Sequence, residues 1–233
     1  MSRPNKLKGF YYLGHASIDC KHGIITDLYV SPGNVSDKDP FIDLLKIQKQ
    51  KYPLPIKKVV ADKGYDSSII HQQLSTLKIK GFISPLEINH SSNGFIYNDQ
   101  TDQFTCPEGS HLVFTHLEYP SDKERYRKIY SAKADQCNQC SLRFKCFGKA
   151  TRAKTFKKPL FYEFLEQNRE HSLTIEYKKL QRLRRIWCEG TFGTLKQLHN
   201  LSRTLKRGIK NVQEQCLFSA MALNLKRMIK ALV

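Results

Sequence analysis

The sequence has no run of about 18 apolar residues, which is the length that a membrane-spanning helix needs. Its amino terminus carries basic residues but no apolar segment of the kind that secretory signals contain. Neither an internal repeat nor a low-complexity segment is evident. These absences argue against a membrane protein, so we expect a cytoplasmic chain whose seven cysteines do not form structural disulfides.

Acidic residues are much fewer than basic residues. The chain has 21 Asp and Glu against 39 Lys and Arg, which gives a formal net charge of +18. This excess favours a polyanionic partner such as a nucleic acid, because cations that neutralise phosphates release condensed counterions. Composition alone leaves three alternatives open: a basic surface without a partner, a ribosomal protein and a membrane-surface protein.

The length of 233 residues and a hydrophobic content of 40% allow one large domain, or one domain with a sizeable insertion. Over the first 85 residues, the apolar patterning predicts a mixed α/β order that begins with a hairpin. Phe41, Leu44, Leu45 and Ile47 are expected to face the core. The predicted elements are strands at 9–20, 24–30, 56–61 and 79–84, with helices from Ser36 or Asp37 to about Lys51 and from Ser67 to Leu77.

The remainder of the chain differs in character. Residues 86–158 are polar and loop-rich and hold four of the seven cysteines, so we interpret them as an insertion with short strands at 103–106, 111–115 and 126–131. From 159 the chain becomes helical, with helices predicted at 160–181, 184–198 and 211–231. The apolar side predicted for the last helix contains Val212, Cys216, Leu217, Ala220, Leu223, Leu225 and Met228.

Two acidic residues are candidates for catalysis. Asp62 ends a short apolar strand, which is where open α/β sheets place their chemistry. Glu189 follows Arg185 by four residues and precedes Lys196 by seven, so a helix would bring all three to nearly one face. The alternatives are an ordinary turn aspartate and an exposed ion pair.

The ion-pair alternative does not explain Gly190 and Gly193, which are costly inside a helix. Two glycines so close together indicate close packing or the close approach of a partner.

These segments resemble one known family. The ADKGYDS motif around Asp62 resembles the second-aspartate motif of insertion-sequence DDE transposases, and the segment from Arg185 to Lys196 is similar to their third-carboxylate signature. Gly33-Asn-Val-Ser-Asp37 and the hairpin fit the same family. The resemblance implies an RNase-H-like mixed sheet with flanking helices, interrupted by a cysteine-rich insertion and completed by a helical carboxy-terminal part. The corresponding domains are 1–85, 86–158 and 159–233.

The resemblance also implies roles for individual residues. Asp62 and Glu189 would be the second and third metal-binding carboxylates, because Mg²⁺ or Mn²⁺ ions in such sites take oxygen ligands. Arg185 and Lys196 would contact the phosphates of transposon ends. Arg182 occupies the position of the family's tyrosine, which weakens the inferred role in processing DNA ends.

The first catalytic aspartate of the family lies on a strand that precedes the hairpin. Only eight residues stand before the hairpin here, and none of them is acidic. We therefore expect a chain that begins after its first catalytic strand and that has negligible strand-cleaving activity by itself. The noncatalytic alternative is a DNA-binding remnant that keeps only the scaffold. A nuclease or resolvase with a different metal set is a third alternative, for which the sequence offers no other acidic cluster.

Four cysteines form a candidate metal site. Their spacing is C-x30-C-x2-C-x5-C, and thiolates at this density in a cytosolic protein suggest a Cys₄ zinc site. The segments around them also resemble the zinc-ribbon-like insertion of one branch of these transposases. The alternative is four unrelated thiols. The four residues are Cys106, Cys137, Cys140 and Cys146.

Basic residues are densest around Glu189. The predicted DNA-binding residues are Arg182, Arg185, Lys196, Arg203, Lys206 and Arg207. We expect their contacts to be mostly with the phosphates of double-stranded DNA, at transposon ends and target, and therefore to depend strongly on salt. The alternative is a solvated helix surface. A homo-oligomer is possible, and Trp187 is expected to pack in the core rather than to stack on a flipped base.

Overall fold

The computed structural model describes residues 9, 11–52, 55–86, 94–119, 126–146, 148, 151–204 and 206–232. The chain is a mixed α/β protein that divides into two compact units. The first unit comprises Met1–Asp66, Gln73–Ser84 and Asn168–Val233, and the second comprises Ser67–Gln72 and Pro85–Gln167. The predicted insertion, 86–158, falls within the second unit.

In the described part of the chain the strands form three sheets. β1 and β2 are an antiparallel hairpin, β3 and β4 are a parallel pair, and β5 to β9 follow one another in an antiparallel sheet. The strands are β1 Tyr12–Ile18, β2 Ile25–Pro32, β3 Lys58–Ala61, β4 Lys80–Ile83, β5 Ile96–Asn98, β6 Gln103–Thr105, β7 His111–Glu118, β8 Arg127–Ser131 and β9 Thr155–Pro159.

The helices are α1 Phe41–Lys51, α2 Ser68–Thr76, α3 Ala134–Asn138, α4 Arg143–Cys146, α5 Tyr162–Ser172, α6 Ile175–Arg184, α7 Gly190–Leu198 and α8 Ile209–Leu232. A short 3₁₀ helix, Lys63–Tyr65, follows β3. A π-helical turn, Arg185–Glu189, joins α6 to α7. None of the helices in the described ranges combines the length and apolar character that a membrane crossing requires.

In the first unit, one face of α8 packs on β2. Apolar side chains of β2 and α8 form one buried cluster, which Leu195 of α7 completes. Two amide side chains of α8 also bond to the backbone of β2. Gln213 accepts from Val30 N at 2.6 Å and donates to Leu28 O at 2.5 Å, and Asn224 bonds to both the N–H and the C=O of Ile25. This helix therefore satisfies polar groups of the strand as well as covering its apolar face.

The second unit is built on the sheet from β5 to β9. Leu112 and Tyr130 are fully buried in its core. The hydroxyls of Tyr97 and Tyr130 both donate to Asp102 Oδ1 at 2.5 Å, and Lys128 Nζ lies 3.3 Å from Asp102 Oδ2. The carboxylate is thus held by three side chains from two strands, β5 and β8.

The predicted hairpin and the predicted alternation of strand and helix up to Ile83 are confirmed. Two predictions about α1, its first residue and its buried side chains, were wrong in part. The helix begins at Phe41, after Pro40, rather than at Ser36 or Asp37. It also buries Ile42 and leaves Ile47 exposed. The side chains that α1 buries are therefore Ile42, Leu45 and Gln48, spaced three residues apart on one face of the helix.

The single helix predicted at 160–181 is two helices, α5 and α6. The chain breaks at Leu173, and Thr174 begins α6 by accepting a hydrogen bond from Tyr177 N at 3.3 Å. The expected apolar side of the last helix was also wrong in part. Its predicted members divide between two opposite faces, so that Leu217, Leu225 and Met228 are exposed.

An RNase-H-like arrangement in one mixed sheet stays a prediction. Within the described ranges, the hairpin and the parallel pair are hydrogen-bonded as separate sheets.

Candidate active site

Helix α6 runs in the same direction as the parallel strands. Glu176, in its first turn, forms ion pairs with Lys58 at 2.6 Å and Lys80 at 3.5 Å, which begin β3 and β4. Five residues further on, the buried Gln181 donates to Ala61 O at 2.9 Å and Phe82 O at 2.6 Å, towards the other ends of the strands. The chain that follows α6 therefore continues past the carboxyl ends of β3 and β4, the edge where Asp62 lies.

Asp62 emerges directly after β3 and is exposed. Its Oδ1 accepts a hydrogen bond from Gly64 N at 2.8 Å and so begins the 3₁₀ helix. A Cβ atom at Gly64 would lie 2.9 Å from this oxygen. The glycine therefore makes room for the carboxylate, in addition to allowing the turn that the sequence predicted.

The second aspartate of the same motif has a different environment. Asp66 is buried and accepts a hydrogen bond from Asn168 Nδ2 at 3.2 Å. Asn168 also donates to Ile83 O at 2.8 Å. Asp66 therefore holds the structure together, whereas the carboxylate of Asp62 faces solvent.

Glu189 lies on the π-helical turn rather than on a regular α-helix. A π-helical turn holds more residues than an α-helical turn. Residues four apart, such as Arg185 and Glu189, therefore do not lie on one face of it as they would on an α-helix. Among the described residues, these two side chains form no ion pair with each other, and Glu189 is exposed. Single π turns inside helices occur frequently at functional sites.

The charges of both carboxylates influence the Cys188 thiol. Burial raises the pKa of Cys188, Arg184 lowers it, and the charges of Asp62 and Glu189 both raise it further. Such charge effects fade over about 8 Å at physiological salt. Both carboxylates therefore lie in the neighbourhood of one sulfur atom.

Sequence reasoning missed a third carboxylate in this region. Burial raises the pKa of Tyr65 far above its usual value, and the charges of Asp37, Asp62 and Cys188 raise it further. Asp37 also acts on His15, whose pKa is lowered by burial and partly restored by that charge. The signal was present in the Gly33–Asp37 motif, which fits the family, although the only individual role predicted for Asp37 was that of a helix cap.

Neither predicted metal site is a formed cluster of ligands among the residues that the structure describes. No three His, Cys, Asp or Glu side chains within the described ranges come close enough together to hold a metal ion. Asp62 and Glu189 have the oxygen ligands that Mg²⁺ prefers, but they are only two residues.

The four cysteines of the second unit are neighbours. Burial raises the pKa of Cys146, Lys154 lowers it, and Cys137, Cys140 and Cys106 each raise it. Ser110 N also donates to Cys106 Sγ at 3.2 Å. The four sulfurs are thus near one another without the convergence of a formed Cys₄ site.

Trp187, two residues before Glu189, packs within the first unit as predicted. Its ring lies against Gly23 in the hairpin turn, where an added Cβ atom would be 2.3 Å from the ring. Arg227 of α8 lies over the same ring, with its guanidinium carbon 5.8 Å from the centroid. Arg227 also donates to Gly23 O, and to Thr191 Oγ1 at 2.7 Å. The π turn is therefore fixed to the hairpin and to α8.

The predicted DNA-binding residues are all exposed. One is partly neutralised, because Lys206 Nζ lies 3.7 Å from Glu214. The other five form no ion pair within the described part of the chain; they are Arg182, Arg185, Lys196, Arg203 and Arg207. Their charges are therefore free to neutralise phosphates.

Gly190 and Gly193 face open space, since a Cβ atom at either position would have nothing within 4 Å. Close packing within the described part of the chain therefore does not explain the two glycines.

A family model described as a transposase DDE domain matches residues 105–229, which is more than half of the 233-residue chain. The match includes Glu189, the four neighbouring cysteines and α8 as far as Ile229, whereas Asp62 precedes it. Neither the curated proteins nor the solved structures gave a match.

Proposed function

The chain belongs to the transposase DDE domain family, and we propose that it binds double-stranded DNA and presents Asp62 and Glu189 as two carboxylates of a metal-dependent strand-transfer site. DDE transposase domains generally use divalent metal ions and act on DNA. The proposal for this chain extends that family function to particular residues. It also assigns an RNase-H-like arrangement to the first unit.

One observation carries the proposal. The charges of Asp62 and Glu189 both act on the Cys188 thiol, although the two residues are 127 positions apart in sequence and lie on different elements. Cys188 adjoins Glu189 in sequence, so the influence of Asp62 on the same thiol indicates that Asp62 lies near the π turn. The π turn at Glu189 supports the same assignment.

Each residue has a definite part in this proposal. When bound, Mg²⁺ or Mn²⁺ would activate an attacking hydroxyl and stabilise the leaving oxygen on phosphorus. Asp62 presents its carboxylate in an orientation fixed by Gly64 N, and Glu189 presents its own from a turn anchored through Trp187. Arg185 and Lys196 position the DNA by neutralising phosphates. The open surface at Gly190 and Gly193 would let the DNA backbone approach the helix closely.

Binding of double-stranded DNA is the direct test. We expect affinity to fall steeply with salt, by about 0.9 in logarithmic slope for each phosphate contact. Replacing Arg185 and Lys196 together by glutamine should reduce that slope by about 2 and weaken binding on every DNA sequence. Fluorescence anisotropy of a labelled duplex, measured from low to physiological salt, gives both quantities.

A matched control removes two charges elsewhere. Lys57 and Lys133 are exposed residues outside the predicted DNA-binding set, and glutamine at both should change the slope far less. If the two double variants weakened binding equally, DNA affinity would depend only on the net charge of the chain. That outcome would contradict the assigned surface.

Strand cleavage tests whether this chain is a complete catalyst by itself. We expect no cleavage of DNA ends by this chain alone with Mg²⁺ or Mn²⁺, because the described residues bring no third ligand to Asp62 and Glu189. Turnover that Asp62→Ala abolishes would refute this expectation and would make the chain a complete catalyst. DNA binding without turnover is the behaviour expected of a DNA-binding remnant as well.

We further propose that the four neighbouring cysteines bind one zinc ion. Support comes from the mutual influence of their thiols on Cys146 and from the hydrogen bond of Ser110 N to Cys106 Sγ. Zinc binds thiolates, so binding would release protons and stabilise the second unit.

Zinc content and its removal test this second proposal. Purified chain should carry about one zinc ion, and a chelator should lower the unfolding temperature by roughly 5 °C or more. Cys140→Ser should abolish binding, whereas Cys20→Ser, an exposed thiol of the first unit, should leave it unchanged. Zinc below about 0.1 per chain would reject the site.

A further inference from the structure

Helix α8 has a second apolar face, opposite to the one that packs on β2. Its exposed members are spaced three and four residues apart over two heptads and reach the last residue of the helix. We define the apolar seam of α8 as Phe218, Met221, Leu225, Met228 and Leu232. A helix that is apolar all round is normally buried on all sides. In this chain the apolar seam is between 53% and 86% exposed.

We propose that the apolar seam is a self-association surface, on which a second copy of this chain packs its own α8 in a two-stranded coiled coil. The a positions of the heptad are Phe or Leu and the d positions are Met, so both are apolar throughout, as in coiled coils. Leu217 and Ile229, which flank the seam, are 41% and 62% exposed and would widen the contact.

The amount of apolar surface matches a dimer. Taking roughly 200 Å² for a fully exposed large apolar residue, the seam and its two flanking residues expose about 850 Å² per copy. Two copies would then bury at most about 1,700 Å², which lies within the range of stable protein–protein interfaces.

Charge favours a second copy as the occupant. From Leu217 to Leu232, no residue at the a, d, e or g positions is charged. Lys226, Arg227 and Lys230 lie elsewhere on the helix, so a symmetric pair places no like charges in contact in either orientation. The seam therefore allows a chain of net charge +18 to pair with itself.

Mass measured by light scattering over a range of concentrations tests the proposal on the full chain. We expect the wild type to be a dimer at micromolar concentration. The double variant Met221→Glu with Leu225→Glu should weaken pairing by at least about 100-fold, because each change places a charge in the apolar contact. Both side chains are more than half exposed, so the fold should be retained, and circular dichroism checks this.

The control introduces the same two charges at another apolar site. Leu173 and Ile175 are 73% and 86% exposed at the junction of α5 and α6, and glutamate at both should leave the dimer intact. Raising the salt concentration should strengthen the dimer, because it screens repulsion between two cationic chains. This response is opposite in sign to that of DNA binding, so the two activities can fail independently.

Two outcomes would overturn the proposal. A wild type that stays monomeric at about 100 μM would exclude the second copy, and the exposed face would then belong to a different protein or to lipid. A dimer that survives the Met221 and Leu225 substitutions would have its contact elsewhere.

Discussion

Gly23→Ala is expected to lower the free energy of unfolding by about 3 kcal/mol. The backbone of Gly23 has φ of +71°, a conformation that costs about 1–2 kcal/mol for a residue with a side chain. The new methyl group would also overlap the ring of Trp187, at 2.3 Å from its nearest carbon, and overpacking of this kind costs about 1–3 kcal/mol. Chemical denaturation measures the change.

Gly208→Ala is a control for the backbone contribution. Gly208 has φ of +84° in the same unit, but a Cβ atom there would have nothing within 4 Å. Its replacement should cost only about 1–2 kcal/mol. If the two variants lost equal stability, the overlap with Trp187 would contribute nothing to the free energy of unfolding. DNA binding by Gly23→Ala would show whether this contact also positions the π turn.

Gln181→Leu is the second large effect that we expect, at about 3 kcal/mol of destabilisation. Leucine has nearly the same size but cannot donate to Ala61 O and Phe82 O, and each buried carbonyl left without its partner costs about 1–3 kcal/mol. Ala61 precedes Asp62, so the variant should also loosen the end of β3. Denaturant midpoints and amide exchange at the two strands would measure both effects.

Gln181→Glu tests the same two hydrogen bonds through the pH dependence of stability. At neutral pH the introduced carboxylate would face two carbonyl oxygens, so the loss of stability should equal or exceed that of Gln181→Leu. Burial favours the protonated acid, which can donate one hydrogen bond, so the difference from the wild type should shrink as the pH falls from 7 towards 4.5. The exposed Gln197 is the control, since glutamate there should change stability little at either pH. A pH-independent loss would contradict this role of Gln181.

Local patterning was sufficient to predict the elements that surround the site. The hairpin, the strand before Asp62 and the long final helix all have short-range signals, namely apolar alternation, a turn with glycine and a helical period. The start of α1 could not be predicted in the same way, because Ser36 and Asp37 are both good caps and the chain uses neither. In the structure Ser36 and Asp39 bond to backbone N–H groups of the preceding turn instead.

The candidate site required contacts between distant segments, which periodicity does not contain. Asp62 and Glu189 could be nominated because each stands in a recognisable motif. The involvement of Asp37, and the attachment of Trp187 to Gly23 and Arg227, depend on side chains that meet only in the folded chain. The π turn was also beyond prediction, since Arg185–Glu189 has no residue pattern that distinguishes it from an ordinary helical turn.

The amides of α8 have a consequence for the outer edge of the hairpin. An open strand edge is a template for unwanted pairing with other chains, and proteins commonly protect it. Here Asn224 occupies both backbone groups of Ile25, Gln213 occupies Leu28 O and Val30 N, and Asp27 accepts from Leu28 N. Side chains thus take the place of a neighbouring strand, and β2 is closed to sheet extension and to the aggregation that could follow from it.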